Sequence, residues 1–127
     1  MTSFRIQRKP DSWNALARKS YWAYKPIFDA WHALTWHALA RLDPKRAEGA
    51  VRIIATARWK DGRRRDLDNI LLKPVLDTMV RYGLLQDDQV RNVAEIVVRG
   101  FLNQDEDSLE IEVHPFLQEA TDRPKEA

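Results

Sequence analysis

The chain has 127 residues, 44% of them hydrophobic, which is material for one core and leaves no room for two ordinary domains. It contains no Cys, so disulfide frameworks, thiolate metal sites and cysteine nucleophiles are excluded. The net charge of +2 conceals a division: Met1 to Arg65 carries 15 Lys and Arg against 5 Asp and Glu, whereas Asp66 to Ala127 carries 6 against 14.

That asymmetry suits a region that grips a polyanion beside one that holds a cation, although an inert dipolar surface has the same composition. No run approaches the roughly 18 apolar residues of a membrane span. The opening MTSFRIQRKP has no apolar signal segment, so no membrane partner and a cytoplasmic location are expected.

In chain order, SFRIQRK puts Phe4 and Ile6 on one side and Arg5 on the other, which predicts a short first strand. Residues 10–25 mix Pro, Ser, Asn, aromatics and cations without a period and read as a loop with a turn of helix. From Pro26, residues Ile27, Trp31, Leu34, Ala38 and Leu42 recur at helical spacing, with Asp43-Pro44 as the stop. The echo WHALTWHALA within it sets His32 and His37 about 140° apart on a helix, so the two cannot share a metal. Trp31, beside the apolar stripe, reads as core and not as a nucleobase platform. VRIIATARW then alternates Val51, Ile53, Ala55, Ala57 and Trp59 against Arg52, Thr56 and Arg58, a strand with one buried and one basic face.

KDGRRR turns the chain, and NILLKPVLDTMVRYG shows Leu72, Val75, Leu76 and Met79 on one helical stripe ending at Gly83. AEIVVRGFL and SLEIEV read as two strands joined by the acidic turn NQDED, with Leu109, Ile111 and Val113 facing the core and His114 a lone strand-end histidine. The expected fold is a small single α/β domain over residues 1–114. Its elements run strand, helix, strand, helix, strand, strand, with a mixed sheet of about four strands and two main helices. Residues 115–127 read as a flexible tail.

The chemistry concentrates at RRRDLDN, where Arg63, Arg64 and Arg65 abut Asp66 and Asp68. At a strand end, residues two apart point to one side, so the two carboxylates would sit together with Leu67 turned away. Two such carboxylates repel unless a cation or proton separates them. QDDQV returns Asp87 and Asp88 past the end of the helix, and three converging carboxylates suit a hard divalent cation such as Mg²⁺. The plainer alternatives are a helix N-cap for Asp68 and a solvated turn for Asp87 and Asp88. Asn69, Lys73 and Asp77, four residues apart in turn, form one polar line on an otherwise apolar helix. Lys73 could therefore reach a bound phosphate or simply pair with Asp77.

The stretch RRRDLDNILLKPVLDTMVRYGLLQDDQV, Arg63 to Val90, resembles the central motif of RusA-type Holliday junction resolvases, small dimeric Mg²⁺-dependent endonucleases often carried by phages and prophages. KPDSWNALARKSYWAYK resembles, in outline, the family's N-terminal loop of Pro, Asn, basic and aromatic residues. The resemblance implies that Asp66, Asp68 and one of Asp87 or Asp88, with Asp88 favoured, hold Mg²⁺, for which Mn²⁺ can substitute. Lys73 is then the catalytic lysine. Arg63, Arg64 and Arg65, with Arg18, Lys19 and Asn69, contact DNA, largely through phosphates.

It also implies a homodimer matched to the approximate twofold of a four-way junction, with the tryptophan-rich helix as a candidate interface. Two spacings depart from the familiar pattern: Lys73 lies one residue further from Asp66, and Val90 one residue nearer to Asp88. Pro74 lacks an N–H, so the regular helix is expected to begin around it. The alternatives are a nuclease of the same fold acting on other branched or single-stranded DNA, and a DNA-binding protein without chemistry whose acidic cluster only caps and solubilises.

Overall fold

A computed structural model describes residues 1–117. The elements are β1 (Thr2–Ile6), α1 (Trp13–Ala17), α2 (Tyr21–Leu42), β2 (Val51–Arg58), a 3₁₀ turn (Leu67–Asn69), α3 (Lys73–Tyr82), β3 (Val93–Phe101) and β4 (Ser108–Pro115). They form a small α/β domain on one mixed sheet in the order β1-β4-β2-β3, as the sequence pattern predicts. β2 and β3 are parallel, with Val51 beside Val93 and Arg58 beside Phe101. β4 is antiparallel to both β1 and β2.

The parallel pair requires a crossover, which α3 supplies. β3 and β4 are therefore not a hairpin around NQDED: the 102–107 connection passes the end of β2 to reach β4 on its far side. On the way it is tied to the turn after β2, the Asn103 N–H donating to Asp61 O at 3.0 Å and the Gln104 N–H to Trp59 O at 2.9 Å.

Leu109, Ile111 and Val113 face the core from β4 as the alternation requires, opposite Ile53, Ala55 and Ala57 of β2. Helices α2 and α3 pack together on this face through Trp31, Leu39, Val75 and Met79. The second face of β2 is not simply basic. Ile54 and Thr56 are buried in it, while Arg52 and Arg58 pair with Glu95 and Glu110 at 2.6 and 3.1 Å. Interleaving β4 between β1 and β2 sets acidic strand residues beside basic ones.

α2 starts five residues before Pro26, with Ser20 as its N-cap residue. Pro26 removes the bond to the Trp22 carbonyl, but this first turn is exposed and water can satisfy that group. Tyr21 to Lys25 bury no stripe, so apolar periodicity carries no signal of this turn. Deeper in, the buried line is Trp31, Thr35 and Leu39, with Leu34 and Leu42 exposed, so the helix is rotated from its predicted stripe. Thr35 can join this line because its Oγ1–H donates to the Trp31 carbonyl at 2.7 Å.

The helix stops at Asp43 in the left-handed conformation (φ 46°), immediately before Pro44. α3 begins at Lys73 with Pro74 in its first turn, and Gly83 (φ 99°) caps its end by donating to Met79 O and Val80 O. Pro115 belongs to β4, and the Phe116 N–H donates to Ala50 O at 3.0 Å. The rest of the expected tail, residues 118–127, lies outside the described residues.

Candidate active site

The loop leaving β2 is built around Asp61. Its Oδ1 accepts from the Arg63 N–H at 3.0 Å and from Arg65 Nη2 at 2.9 Å; its Oδ2 accepts from Lys9 Nζ at 3.2 Å and from Arg65 Nη2 at 2.8 Å. The Arg63 N–H first, then Lys9 and Arg65, lower the Asp61 carboxyl to a pKa of about 2. The Arg65 guanidinium also lies over the buried Trp59 ring, 5.4 Å from its centroid. Arg65 therefore braces the loop, whereas Arg63 and Arg64 are exposed and form no ion pair among the described residues.

After the arginines the chain does not continue as a strand end. Asp66 is extended (φ −107°, ψ 124°) and leads into the 3₁₀ turn that contains Asp68, so strand alternation does not govern the pair. Nor is Asp68 an N-cap; Leu72 holds that position for α3. Leu67 packs over Gly100 of β3, where a Cβ would lie 2.5 Å from Leu67 Cδ2 and 3.3 Å from Trp59. This contact fixes the turn at the Phe101 end of the sheet.

Asn69 joins the turn to the segment before α1. Its Oδ1 accepts the Asn14 N–H at 3.0 Å and its Nδ2 donates to Ser12 Oγ at 3.0 Å. The Leu71 N–H donates to Asp11 O at 2.9 Å, so both segments form one unit. Between them lies a cavity of about 150 Å³ lined by residues that include Asp11, Ser12, Arg64, Arg65, Asp66 and Asn69. A second cleft of about 220 Å³ has Trp13, Asp68 and Lys73 in its wall.

Asp11 and Ser12 as walls of this site, and the Asn14 N–H as a donor to Asn69, are absent from the sequence reading, and only the polar cluster DSWN hinted at them. Asp11 also accepts from the Trp31 indole at 2.7 Å and pairs with Arg8 at 3.5 Å, which ties the site to the core helix.

The side chains of Asp66 and Asp68 are exposed, and among the described residues neither accepts a hydrogen bond or an ion pair. Lys73 is exposed at the start of α3 and pairs with Asp77 at 3.7 Å, the plainer of the two roles its spacing allows. Arg18 and Lys19 follow α1 directly and are exposed.

Asp87 and Asp88 lie elsewhere. α3 runs back along the sheet for about 15 Å, and the turn after it feeds β3 at its Val93 end, where the Val51 N–H meets Asn92 O. The two carboxylate pairs are thus separated by nearly the length of β3, on the order of 20 Å. Asp87 is engaged locally: Asn92 Nδ2 at 2.6 Å, the Gln89 N–H at 2.9 Å and Arg91 hold its carboxyl below the ordinary range. Asp88 is exposed.

Among the described residues no three His, Asp or Glu side chains stand together as a metal site. Asp66 and Asp68 are exposed carboxylates on the walls of different clefts, Asp66 of the first and Asp68 of the second. Mg²⁺ takes oxygen ligands from one or two carboxylates and commonly keeps water and phosphate as the others. No helix among the described residues is long and apolar enough to cross a membrane. No protein-family model matches the chain, and no curated protein matches it.

Proposed function

We propose that the chain is a Mg²⁺-dependent endonuclease that resolves four-way DNA junctions by paired cuts, in the manner of the RusA-type enzymes its central motif resembles. The observation that carries this reading is the state of the charges around the 3₁₀ turn. Asp61, Asp77 and Asp87 are all engaged, while Asp66 and Asp68 stand exposed and, among the described residues, unengaged, beside Arg63 and Arg64, which form no ion pair there, and the amine of Lys73. An unpaired acidic pair beside unpaired cations gains little for folding. It is suited to a phosphate and the cation that accompanies it.

In this reading Arg63 and Arg64 hold backbone phosphates and set the register of the strand, with little preference for sequence. Asp66 and Asp68 hold Mg²⁺, which when bound supplies Lewis-acid stabilisation of charge at the scissile phosphate. Lys73, released from its weak pairing with Asp77, donates to a non-bridging phosphate oxygen. Asn69 and Asp11 fix the turn in place. Asp88 is remote from Asp66 in its own chain, so its contribution comes from Asp88 of the partner subunit in a homodimer, with one site formed at each side of the twofold.

The test is incubation of a labelled four-way junction and a matched linear duplex with the protein, in Mg²⁺ or chelator, beside Asp68→Asn. Paired nicks that need Mg²⁺, are confined to the junction and vanish in the variant are expected. Equal cutting of both substrates would leave a nuclease without junction selectivity. Tight binding by both proteins with no cleavage would favour the second reading, a DNA-binding protein without chemistry, to which the Lys73–Asp77 pair and the internal bonds of Asp87 lend support.

A further inference from the structure

α1 and the first turns of α2 carry a row of aromatic rings in which Tyr24 and Phe28 rest against the core while Trp13, Tyr21 and Trp22 stand outside it. Trp13 meets Phe28 with centroids 6.0 Å apart, Phe28 meets Tyr24 at 5.4 Å, Tyr24 meets Tyr21 at 5.6 Å, and Tyr21 meets Trp22 at 5.3 Å. Each contact is tilted or edge-to-face, so the rings support one another in fixed orientations. Yet Trp13, Tyr21 and Trp22 remain 44%, 50% and 80% exposed. A tryptophan four-fifths open to solvent on the first turn of a helix contributes nothing to packing.

The position of the row indicates its occupant. Trp13 forms the wall of the same cleft as Asp68 and Lys73, so the row begins at the candidate active site and runs outward from it. Arg18 and Lys19 lie in sequence between Trp13 and Tyr21, exposed and without ion pairs among the described residues. Arg63 and Arg64 flank the other side of the turn. Aromatic faces interleaved with free cations match a single nucleic-acid strand, whose bases stack on rings while its phosphates meet the cations. An apolar protein partner would leave those cations buried without counter-charges.

We propose that Trp13, Tyr21 and Trp22 form a stacking platform for unpaired bases of the DNA strand that enters the active site. Because every base presents a π-face, the platform recognises the unstacked state of a branch point and not its sequence. The inference rests on the nuclease reading for its biological purpose, but its test does not depend on cleavage.

The full-length protein is titrated with oligothymidylate, with an abasic deoxyribose-phosphate chain of equal length, and with blunt duplex at one salt concentration, using tryptophan fluorescence or anisotropy. Oligothymidylate is expected to bind on the order of tenfold more tightly than the abasic chain. Trp22→Ala removes most of that preference and leaves duplex affinity unchanged, whereas Trp22→Phe retains it. Unchanged circular dichroism and thermal melting establish that the exposed site was altered without loss of fold.

Equal binding of base-bearing and abasic chains by the unmodified protein would overturn the proposal, since phosphates alone would then account for affinity. A shift of Trp22→Ala from dimer to monomer in sedimentation, with the base preference intact, would also overturn it and assign the row to contact between copies. Absence of Mg²⁺-dependent junction cutting in a protein that keeps the base preference would instead defeat the nuclease reading alone.

Discussion

Asp61 and Asp66 are five residues apart in one loop, yet their surroundings assign them opposite roles. Asp61 is saturated by an amide and two cations and holds the loop together; the Asp66 carboxylate accepts nothing among the described residues. A carboxyl whose folded pKa is about 2, against 3.8 unfolded, contributes stability that is complete above 3.8 and is lost as pH falls towards 2. Urea midpoints measured down that window should fall for the native chain, and Asp61→Asn should be less stable near neutrality with a shallower decline.

The arginines divide in the same way. Arg64→Ala should reduce the salt dependence of DNA binding by about one unit of slope with unchanged melting. Arg65→Ala should lower the melting temperature first, because it removes the Asp61 pair and the cover of Trp59. The run of arginines beside two carboxylates was legible as a charged site. Which arginine folds back was not, because that depends on Trp59 and Asp61 meeting it in space. The same holds for Asn69, whose amide is occupied by Asn14 and Ser12 more than fifty residues away in the chain.

Among the elements, the 3₁₀ turn has the least support of its own: three residues, no side-chain cap and exposed carboxylates. It is held by Leu67 on Gly100, a contact that needs a residue without a side chain at that point of β3. Gly100→Ala should therefore displace Leu67, which is half exposed and can move. Stability should drop by about 1 kcal/mol or less, while junction cleavage falls far more. Restoration of cleavage in the double variant with Leu67→Ala would confirm that the turn's position was at fault, and a matched loss of stability and activity would count against it.

β1, β4 and α3 were legible because their burial follows simple periods, whereas β2 is buried on both faces and β3 shows no alternation. The start of α2 was not legible, since Tyr21 and Trp22 are exposed and only Tyr24 of its first residues rests against the core. The rotation of its buried face was hidden by Thr35, which bonds to its own helix and so passes as apolar. NQDED does join the last two strands, but that they are not neighbours in the sheet was not legible, because strand periodicity says nothing about which strands pair.

For the whole molecule, sheet order decides what the charge division in the sequence becomes. β4 brings Glu110 against Arg5 and Arg58, and β3 brings Glu95 against Arg52, so much of the strand charge cancels across the sheet. Arg18, Lys19, Arg63 and Arg64 are among the cations without an ion pair among the described residues, together with Lys45, Arg46 and Lys60 on other loops, Arg41 and Arg81 on helices and Arg99 on β3. The separation of Asp66 and Asp68 from Asp88 likewise belongs to topology, because a parallel β2–β3 pair forces α3 to carry the chain to the opposite end.

If two copies complete each site, Asp66→Asn and Asp88→Asn proteins, each inactive alone, should regain nicking when mixed and allowed to exchange subunits. One site in the mixed dimer would carry both substitutions and the other neither. Failure of every mixture to cut, with subunit exchange verified by mass, would confine the chemistry to one chain.

The position of β4 between β1 and β2 has a consequence for how the molecule is made. The central strand of the sheet is the last to leave the ribosome, so β1 has no partner and β2 only β3 until residues 108–115 have been synthesised. The pairing of β1 and of the second edge of β2 is thus deferred until β4 has been made, and until then those strand edges stay open to unwanted partners. Arg5 on β1 and Arg58 on β2, which later pair with Glu110 of β4, are in that interval the strands' protection against edge-to-edge association.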